Sequence, residues 1–275
     1  MLGRWLNLRQ NLVEIGMNLA ANPQQNRLFA ALPGAERTRW LPLLEPVDMP
    51  LGEVLHESYS DVTHLYFPTT SIISLLYITE DGDPAEIAVV GNEGIVGISL
   101  FLRGLSSTSR AVVQSAGQGF RLKAGLLTHE LNRTGSVLDL LLRYTQALIT
   151  QTAQMAACNR HHSVDQQLCR WLLLRLDRSN SNQVVVTQEL IANMLGVRRV
   201  GVTEAAGRLQ RAGLIRYRRA RITVLDRNAL EQRACECYAV VKKEYDRLLP
   251  EAKVDKTTEV SDRHSASYST NAAHR

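Results

Sequence analysis

TQELIANMLGVRRVGVTEAAGRL, residues 187–209, is the stretch that decides the fold of this chain. Thr187 can cap a helix, because its hydroxyl can accept a hydrogen bond from a backbone N–H group of the first turn. Gly196 stands where the chain must turn sharply between two helices, which often requires a positive φ. Val197 and Val202 can then pack the second helix against the first. The stretch therefore predicts a helix-turn-helix.

Two arginines, Arg198 and Arg199, stand at the start of the second helix. In a DNA-binding helix-turn-helix, the second helix lies in the major groove and reads base edges with its N-terminal residues. An arginine can donate two hydrogen bonds to guanine O6 and N7, or neutralise a phosphate. We therefore expect Arg198 and Arg199 to contact bases or phosphates. The alternative is that they only solvate a helix face.

A basic turn between two β-type runs, LIRYRRARITVL at residues 214–225, predicts a wing. Residues 187–225 contain eight arginines and two glutamates, a net charge of +6 against +5 for the whole chain. Positive charge concentrated on one module is typical of nucleic-acid binding. The residues expected to contact DNA are Thr187, Gln188, Arg198, Arg199, Val200, Thr203, Glu204, Arg208, Arg218, Arg219 and Arg221.

Short β-type runs precede this module at residues 54–56, 62–67, 71–79, 86–90 and 110–115. Asp81-Gly82 lies between two of them and is a hairpin signal. Many short strands at close spacing predict a sandwich or small barrel, ending near Leu122. Residues 24–50 read as short helices.

A long helix follows the strands, because apolar residues recur there at spacings of three and four. The average spacing of about 3.5 is that of a coiled-coil seam. The expected dimer interface consists of Val137, Leu141, Tyr144, Leu148 and Met155. The alternative is a long helix that packs on its own barrel. Ser163 and Gln166 form a capping-box pattern at the start of the next helix.

The chain of 275 residues is long enough for one or two domains with a substantial core. The fold class is α+β. Its predicted parts are an N-terminal helical extension (1–23), a sensory β-barrel (24–130), a dimerisation helix (131–160), a winged helix-turn-helix (161–230), a C-terminal helix (231–250) and a disordered tail (251–275). Neither a membrane span nor a secretion signal is recognisable, so we expect a cytoplasmic protein with reduced cysteines and no membrane partner.

In the order of its parts, over about residues 24–230, the chain resembles the Crp/Fnr family of bacterial transcription regulators. The resemblance implies a cupin-like, cyclic-nucleotide-binding-like barrel (a double-stranded β-helix), a long dimer helix, and a homodimer on a two-fold-symmetric DNA operator. It also implies RNA polymerase as a partner. Arg199 falls at the family's guanine-reading arginine. Val200 stands where many members have a glutamate, and Glu204 where some have a second base-reading arginine, so the operator should differ from theirs.

The cyclic-nucleotide pattern of the family is only partly present. The pattern needs Gly-Glu for the ribose, whereas Gly97-Ile98-Ser99 contains no glutamate. It also needs a hydroxyl residue after the phosphate-binding arginine, whereas Ala111 follows Arg110 directly. These departures argue against cyclic AMP and leave any effector unidentified. The candidate effector-binding residues are Gly97, Ser99, Ser109 and Arg110, with a barrel-surface role as the alternative for Arg110.

The sequence predicts no cofactor, no metal site and no catalytic residue. Cys235 and Cys237, spaced by two on a helix, should point to different faces, so we interpret them as structural or incidental cysteines. His161 and His162 are interpreted as a polar hinge, with metal ligation or pH sensing as the alternative. One alternative function is a cupin-like enzyme with a helical appendage, but its usual His-x-His pattern is missing. Another is a regulator whose barrel binds no ligand.

Overall fold

The computed structural model describes residues 22–131, 135–179 and 181–249. The helix predicted for the N-terminal extension and the tail at 251–275 lie outside the described residues. Within the described part, no helix is both long and apolar enough to cross a membrane.

Seven strands form two antiparallel sheets in the N-terminal part. They are β1 (Glu45–Met49), β2 (Val54–His56), β3 (His64–Pro68), β4 (Ile72–Ile78), β5 (Pro84–Val90), β6 (Arg110–Ser115) and β7 (Gly117–Lys123). One sheet has the order β1–β7–β3 and the other β2–β6–β4–β5. The α+β class is confirmed. The barrel is not closed, because the described strands pair into two separate sheets.

The β4–β5 hairpin turns at the predicted Asp81-Gly82 signal, where Gly82 has a φ of +88°. The expectation of only short helices at residues 24–50 was incomplete, because β1 lies at their end. Pro46 and Asp48 interrupt its β-type pattern. Both are tolerated because β1 is an edge strand that pairs only with β7.

Nine helices and three further strands complete the described chain. The helices are α1 (Arg27–Ala30), α2 (Gly34–Trp40), α3 (Ala124–Leu131), α4 (Gly135–His161), α5 (Val164–Leu176), α6 (Gln188–Leu195), α7 (Arg199–Arg211), α8 (Arg227–Arg233) and α9 (Glu236–Leu248). The strands are β8 (Gln183–Val185), β9 (Ile215–Arg218) and β10 (Arg221–Val224), and 3-10 turns lie at Pro23–Gln25, Leu41–Leu43 and Ile98–Leu100. The predicted capping box, Ser163 with Gln166, begins α5.

Helix α4 packs the predicted dimer seam against its own chain. All five residues assigned to the interface, Val137, Leu141, Tyr144, Leu148 and Met155, are buried within the protomer. The Tyr144 hydroxyl donates to the Ile95 carbonyl (2.8 Å). Gln151 bonds both backbone groups of Val89, on the edge strand β5, and also meets the Tyr245 hydroxyl of α9. The assignment of this face to the dimer is therefore corrected: it covers a sheet edge and packs on α9.

Two buried ion pairs join α5 to the N-terminal part. Arg175 Nη2 lies 2.6 Å from Glu86 Oε2 on β5, and Arg178 Nε lies 2.7 Å from Glu93 Oε1 in the following turn. All four side chains are buried. A Cβ on Gly91 would lie 2.8 Å from the Arg178 side chain, so only glycine permits this approach without a shift. These pairs fix the position of α5 relative to the two N-terminal sheets.

Removing one member of a buried pair should therefore lower the free energy of unfolding. Glu86→Leu leaves the Arg175 guanidinium buried without its counter-ion. We expect the free energy of unfolding to fall by about 3–5 kcal/mol. The double variant Glu86→Leu/Arg175→Met should recover much of this loss, because no unpaired charge remains. Urea denaturation measures both changes.

Glu244→Ala provides the control, because it removes a carboxylate from a surface pair with Arg247 and should change stability little. If the double variant were as unstable as Glu86→Leu, the unpaired charge would not be the cause of the loss.

Candidate nucleic-acid interface

The helix-turn-helix is formed by α6 and α7. The Thr187 hydroxyl accepts a hydrogen bond from the Leu190 N–H (3.2 Å), as predicted for a helix cap. Gly196 ends α6 with a φ of +64°, a conformation that glycine adopts without the steric cost of a side chain. The two helices bury a shared apolar face, which consists of Ile191, Ala192, Met194, Leu195, Val202, Ala205, Ala206 and Leu209. This packing leaves the opposite face of α7 in solvent.

The exposed end of α7 carries the predicted base-reading residues. Arg198, Arg199, Val200, Thr203 and Glu204 are all exposed. The side chain of Arg199 is 67% exposed, and its Nε lies 3.8 Å from Glu189 Oε2, a surface pair of little energy. The Thr203 hydroxyl donates to Gln188 Oε1 (2.8 Å) and so connects α7 to the first turn of α6.

Arg208 has a different role from the one predicted. Its guanidinium makes a two-atom contact with Asp165 at the start of α5, with Nε–Oδ1 and Nη2–Oδ1 distances of 3.0 and 2.6 Å. The hydrogen bond from Arg208 lowers the pKa of Asp165. Arg233 of α8 lies 3.4 Å from the same carboxylate. We therefore reassign Arg208 from DNA contact to bracing α7 against α5. Sequence reasoning missed this pair because its members are 43 residues apart.

The wing consists of β9 and β10, with β8 as the third strand of its sheet. Arg219 and Ala220 form the turn and have φ values of 50° and 56°. Positive φ at both central residues is the backbone of a type I′ hairpin turn. Arg218, Arg219 and Arg221 are exposed around it. The Tyr217 hydroxyl donates to the Val186 carbonyl (3.0 Å), which anchors the wing beside the cap of α6.

The candidate effector residues only partly converge. Gly97, Ser99 and Ser109 line one cleft of about 470 Å³ between the N-terminal part and α4. Arg110 does not line it and instead lies 2.9 Å from Glu57 in a partly exposed ion pair. The sequence analysis missed most of the lining, which includes His56, Leu75, Ile87, Ile98, Leu148 and Ile149.

His56 is a buried polar side chain in the wall of this cleft. It is 8% exposed, and neither ring nitrogen has a hydrogen-bond partner of good geometry among the described residues. Burial lowers the pKa of His56, which favours the neutral form of its ring. None of the described lining residues carries a formal charge.

The expectation that Cys235 and Cys237 point apart is wrong. Cys235 is the N-cap residue of α9 and not part of its regular turns, so its sulfur can approach that of Cys237. Cys158 of α4 and His162, which directly follows α4, lie beside them. The available sequence signal was Cys158-x3-His162, because residues four apart share one face of a helix.

Comparison with known proteins identifies the domain that contains the helix-turn-helix and the wing. Residues 166–233 match the family model of the Crp-like helix-turn-helix domain. No curated protein sequence matches the chain.

Solved structures with the same fold align with this chain over nearly the whole of their own length. FixK2 from Bradyrhizobium japonicum is 15% identical, with a TM-score of 0.59 over 70% of this chain and 98% of its own. A CRP-family transcriptional regulator from Thermus thermophilus is 19% identical, with a TM-score of 0.58 over 68% and 96%. The c-di-GMP-responsive global regulator CLP of Xanthomonas campestris is 14% identical, with a TM-score of 0.54 over 70% and 100%.

Proposed function

We propose that the chain is a DNA-binding transcription regulator of the Crp/Fnr type, which acts in the cytoplasm as a homodimer on a two-fold-symmetric operator. The observation that carries this proposal is the exposed end of α7 within the Crp-like domain, with Arg199 in solvent at its start. We propose no catalytic activity. RNA polymerase is a partner that the family resemblance implies.

Each DNA-contacting residue has a proposed role. Arg198 and Arg199 enter the major groove, and Arg199 donates to guanine O6 and N7. Val200 and Thr203 offer apolar contact to neighbouring bases, with Glu204 at the edge of the reading surface. Thr187 and Gln188 position the start of α6 near the backbone. Arg218, Arg219 and Arg221 of the wing neutralise phosphates.

The proposed homodimer uses the face of α4 opposite the one that packs on its own chain. Leu142 and Ile149 are 46% and 58% exposed there, and Ala153 and Ala156 follow in the same stripe. Leu142, Ile149 and Ala156 repeat every seven residues, the period of a coiled-coil position. A second copy of α4 can cover this stripe, and the two copies of α7 would then address half-sites about 34 Å apart.

Charge in this stripe should dissociate the dimer. Leu142→Glu/Ile149→Glu places carboxylates where two apolar surfaces would meet, and burying them unpaired is costly. Sedimentation velocity should change from a dimer of the 30.7 kDa chain to a monomer with native helix content.

Leu41→Glu/Leu105→Glu is the matched control, since both leucines are exposed elsewhere on the protomer. Retention of the dimer by the α4 variant would place the interface on another surface.

The effector that the cleft suits is a small, uncharged and largely apolar molecule. Aliphatic side chains dominate the lining, and His56 and Ser99 provide polar atoms without partners among the described residues. Gly97 and Ser109 complete this proposed site. A cyclic nucleotide carries a phosphate, which the lining gives no cation to neutralise. Arg110 is therefore left out of the effector site.

Cyclic AMP should give no binding heat at millimolar concentration in isothermal titration calorimetry. The physical reason is that an anion in this cleft would be desolvated without a counter-charge. Stoichiometric binding of cyclic AMP would contradict both the neutral-ligand proposal and the separation of Arg110 from the cleft.

Selection of bound duplexes from a random pool tests the function itself and yields the operator. On that operator Arg199→Ala should cost about 1–3 kcal/mol of binding free energy, and much less on random DNA. Arg218→Ala and Arg219→Ala should weaken both DNAs alike and reduce the salt dependence by about one unit of log–log slope per lost phosphate contact.

Arg247→Ala is the control, because it removes one positive charge from α9, outside the helix-turn-helix and wing. Equal weakening of both DNAs by Arg199→Ala would make Arg199 a phosphate contact. If the wild-type protein enriched no DNA sequence, with or without cell extract, this result would contradict the proposed function.

A further inference from the structure

Three cysteines and a histidine converge at the end of the long helix. The nitrogen and sulfur ligand atoms of Cys158, His162, Cys235 and Cys237 all lie within 4.8 Å of one another. We name these four residues the Cys3His cluster. Its three cysteines are buried, and His162 is half-buried.

Local structure explains why the four side chains meet. Cys158 lies in the last turn of α4, and His162 follows the helix directly, with its N–H donating to the Cys158 carbonyl (3.0 Å), so the two side chains are one turn apart on the same side. Cys235 caps α9 and Cys237 lies in its first turn, so both sulfurs stand at the N-terminal end of that helix. The two ligand pairs thus come from two helices that pack against each other.

We propose that the Cys3His cluster binds one Zn²⁺ ion in tetrahedral coordination. Three cysteines and a histidine are a common ligand set of structural zinc sites. Zn–S bonds of about 2.3 Å and Zn–N bonds of about 2.0–2.1 Å place the corners of such a tetrahedron roughly 3.5–3.8 Å apart. The Cys158 and Cys235 sulfurs are 3.4 Å apart, and Cys237 Sγ is 3.5 Å from His162 Nδ1. These two distances are close to those around a single ion, and no pair of the four ligand atoms is more than 4.8 Å apart.

The surroundings of His162 support the same assignment. Its Nδ1 faces the Cys237 sulfur, while its Nε2 lies 3.3 Å from the Glu236 carboxylate. A histidine that ligates a metal generally donates its other ring N–H to a carboxylate or carbonyl, which fixes the ring. Gln167 holds the helix end in place, because its side-chain amide donates to the Cys158 and His162 carbonyls.

A Cys158–Cys235 disulfide is the competing interpretation. It would use two of the four groups and leave Cys237 and His162 facing each other without a role. An iron–sulfur cluster also competes, but it holds its ligands around several irons and so spreads them further apart than one ion does. The short distances among all four ligand atoms favour a single metal ion.

The position of the site implies a mechanical role. Cys158 lies in the last turn of α4, and His162 immediately precedes Ser163, which caps α5. Cys235 follows α8, whose Arg233 meets Asp165, and Asp165 also holds Arg208 of α7. Zinc would therefore tie the end of the long helix to the helices that brace the DNA-reading helix.

Metal analysis of the purified full-length protein tests the proposal. Protein prepared without chelators should contain about one zinc per chain by mass spectrometry of the elements. A mercurial that blocks thiols should release it. Exchange for Co²⁺ should produce the intense charge-transfer absorption of thiolate ligands. Cys237→Ser and His162→Ala should lose the metal, and Glu236→Ala should weaken its binding by about tenfold or more.

Cys169→Ala is the matched control, because Cys169 is buried but lies outside the cluster, and this variant should keep its zinc. Wild-type protein that holds no zinc, and takes up neither Zn²⁺ nor Co²⁺ after reduction, would overturn the proposal. So would a Cys158–Cys235 disulfide or a protein-bound iron–sulfur chromophore in preparations that contain no zinc. If the ligand variants fail to fold, wild-type stoichiometry and the cobalt spectrum decide, and both are independent of DNA binding.

Discussion

Two buried arginine–glutamate pairs hold this molecule in one arrangement. Arg175 with Glu86 and Arg178 with Glu93 cross from α5 to the N-terminal part, in surroundings from which water is nearly excluded. A buried ion pair contributes little net stability compared with apolar residues of the same volume. It is intolerant of misplacement, however, because separating the two groups leaves an unpaired charge in the interior. The pairs therefore act mainly on geometry, and Gly91 permits it by leaving room for the Arg178 side chain.

Helix α4 makes different contacts on different faces. One face covers the edge strand β5 through Gln151 and packs on Tyr245 of α9. A second stretch of its surface, at Leu148 and Ile149, forms one wall of the cleft. Ile149, Ala153 and Ala156 line the cleft and also lie on the stripe that we assign to the second copy of the chain. An occupant of the cleft and the partner helix would therefore touch adjacent parts of one rigid element, which gives a ligand a physical route to the dimer.

Helix α7, which we propose reads DNA, is held by ion pairs on its inward side. Asp165 holds Arg208 of α7 and Arg233 of α8 through one carboxylate, and α8 leads directly to the Cys3His cluster. Of the eight arginines between Thr187 and Leu225, at least Arg208 is thus engaged within the protein. The positive charge of the module consequently overstates the charge that it presents to DNA. The exposed arginines at the start of α7 and on the wing carry the proposed contacts.

The sequence by itself determined the elements whose signals are local. Thr187, Gly196 and the apolar positions around them specify the helix-turn-helix, and Ser163 with Gln166 specifies the start of α5. It could not determine which face of α4 lies inward, because the stripes through Leu141 and Leu142 both repeat with a period near 3.5. Only the tertiary structure decided this, by placing β5 and α9 on one side. It also decided the role of Arg208 and brought Cys158 to Cys235, 77 residues away. Helix periodicity and caps depend on neighbours within a few residues, whereas a salt bridge or a ligand cluster depends on the path of the chain between its members.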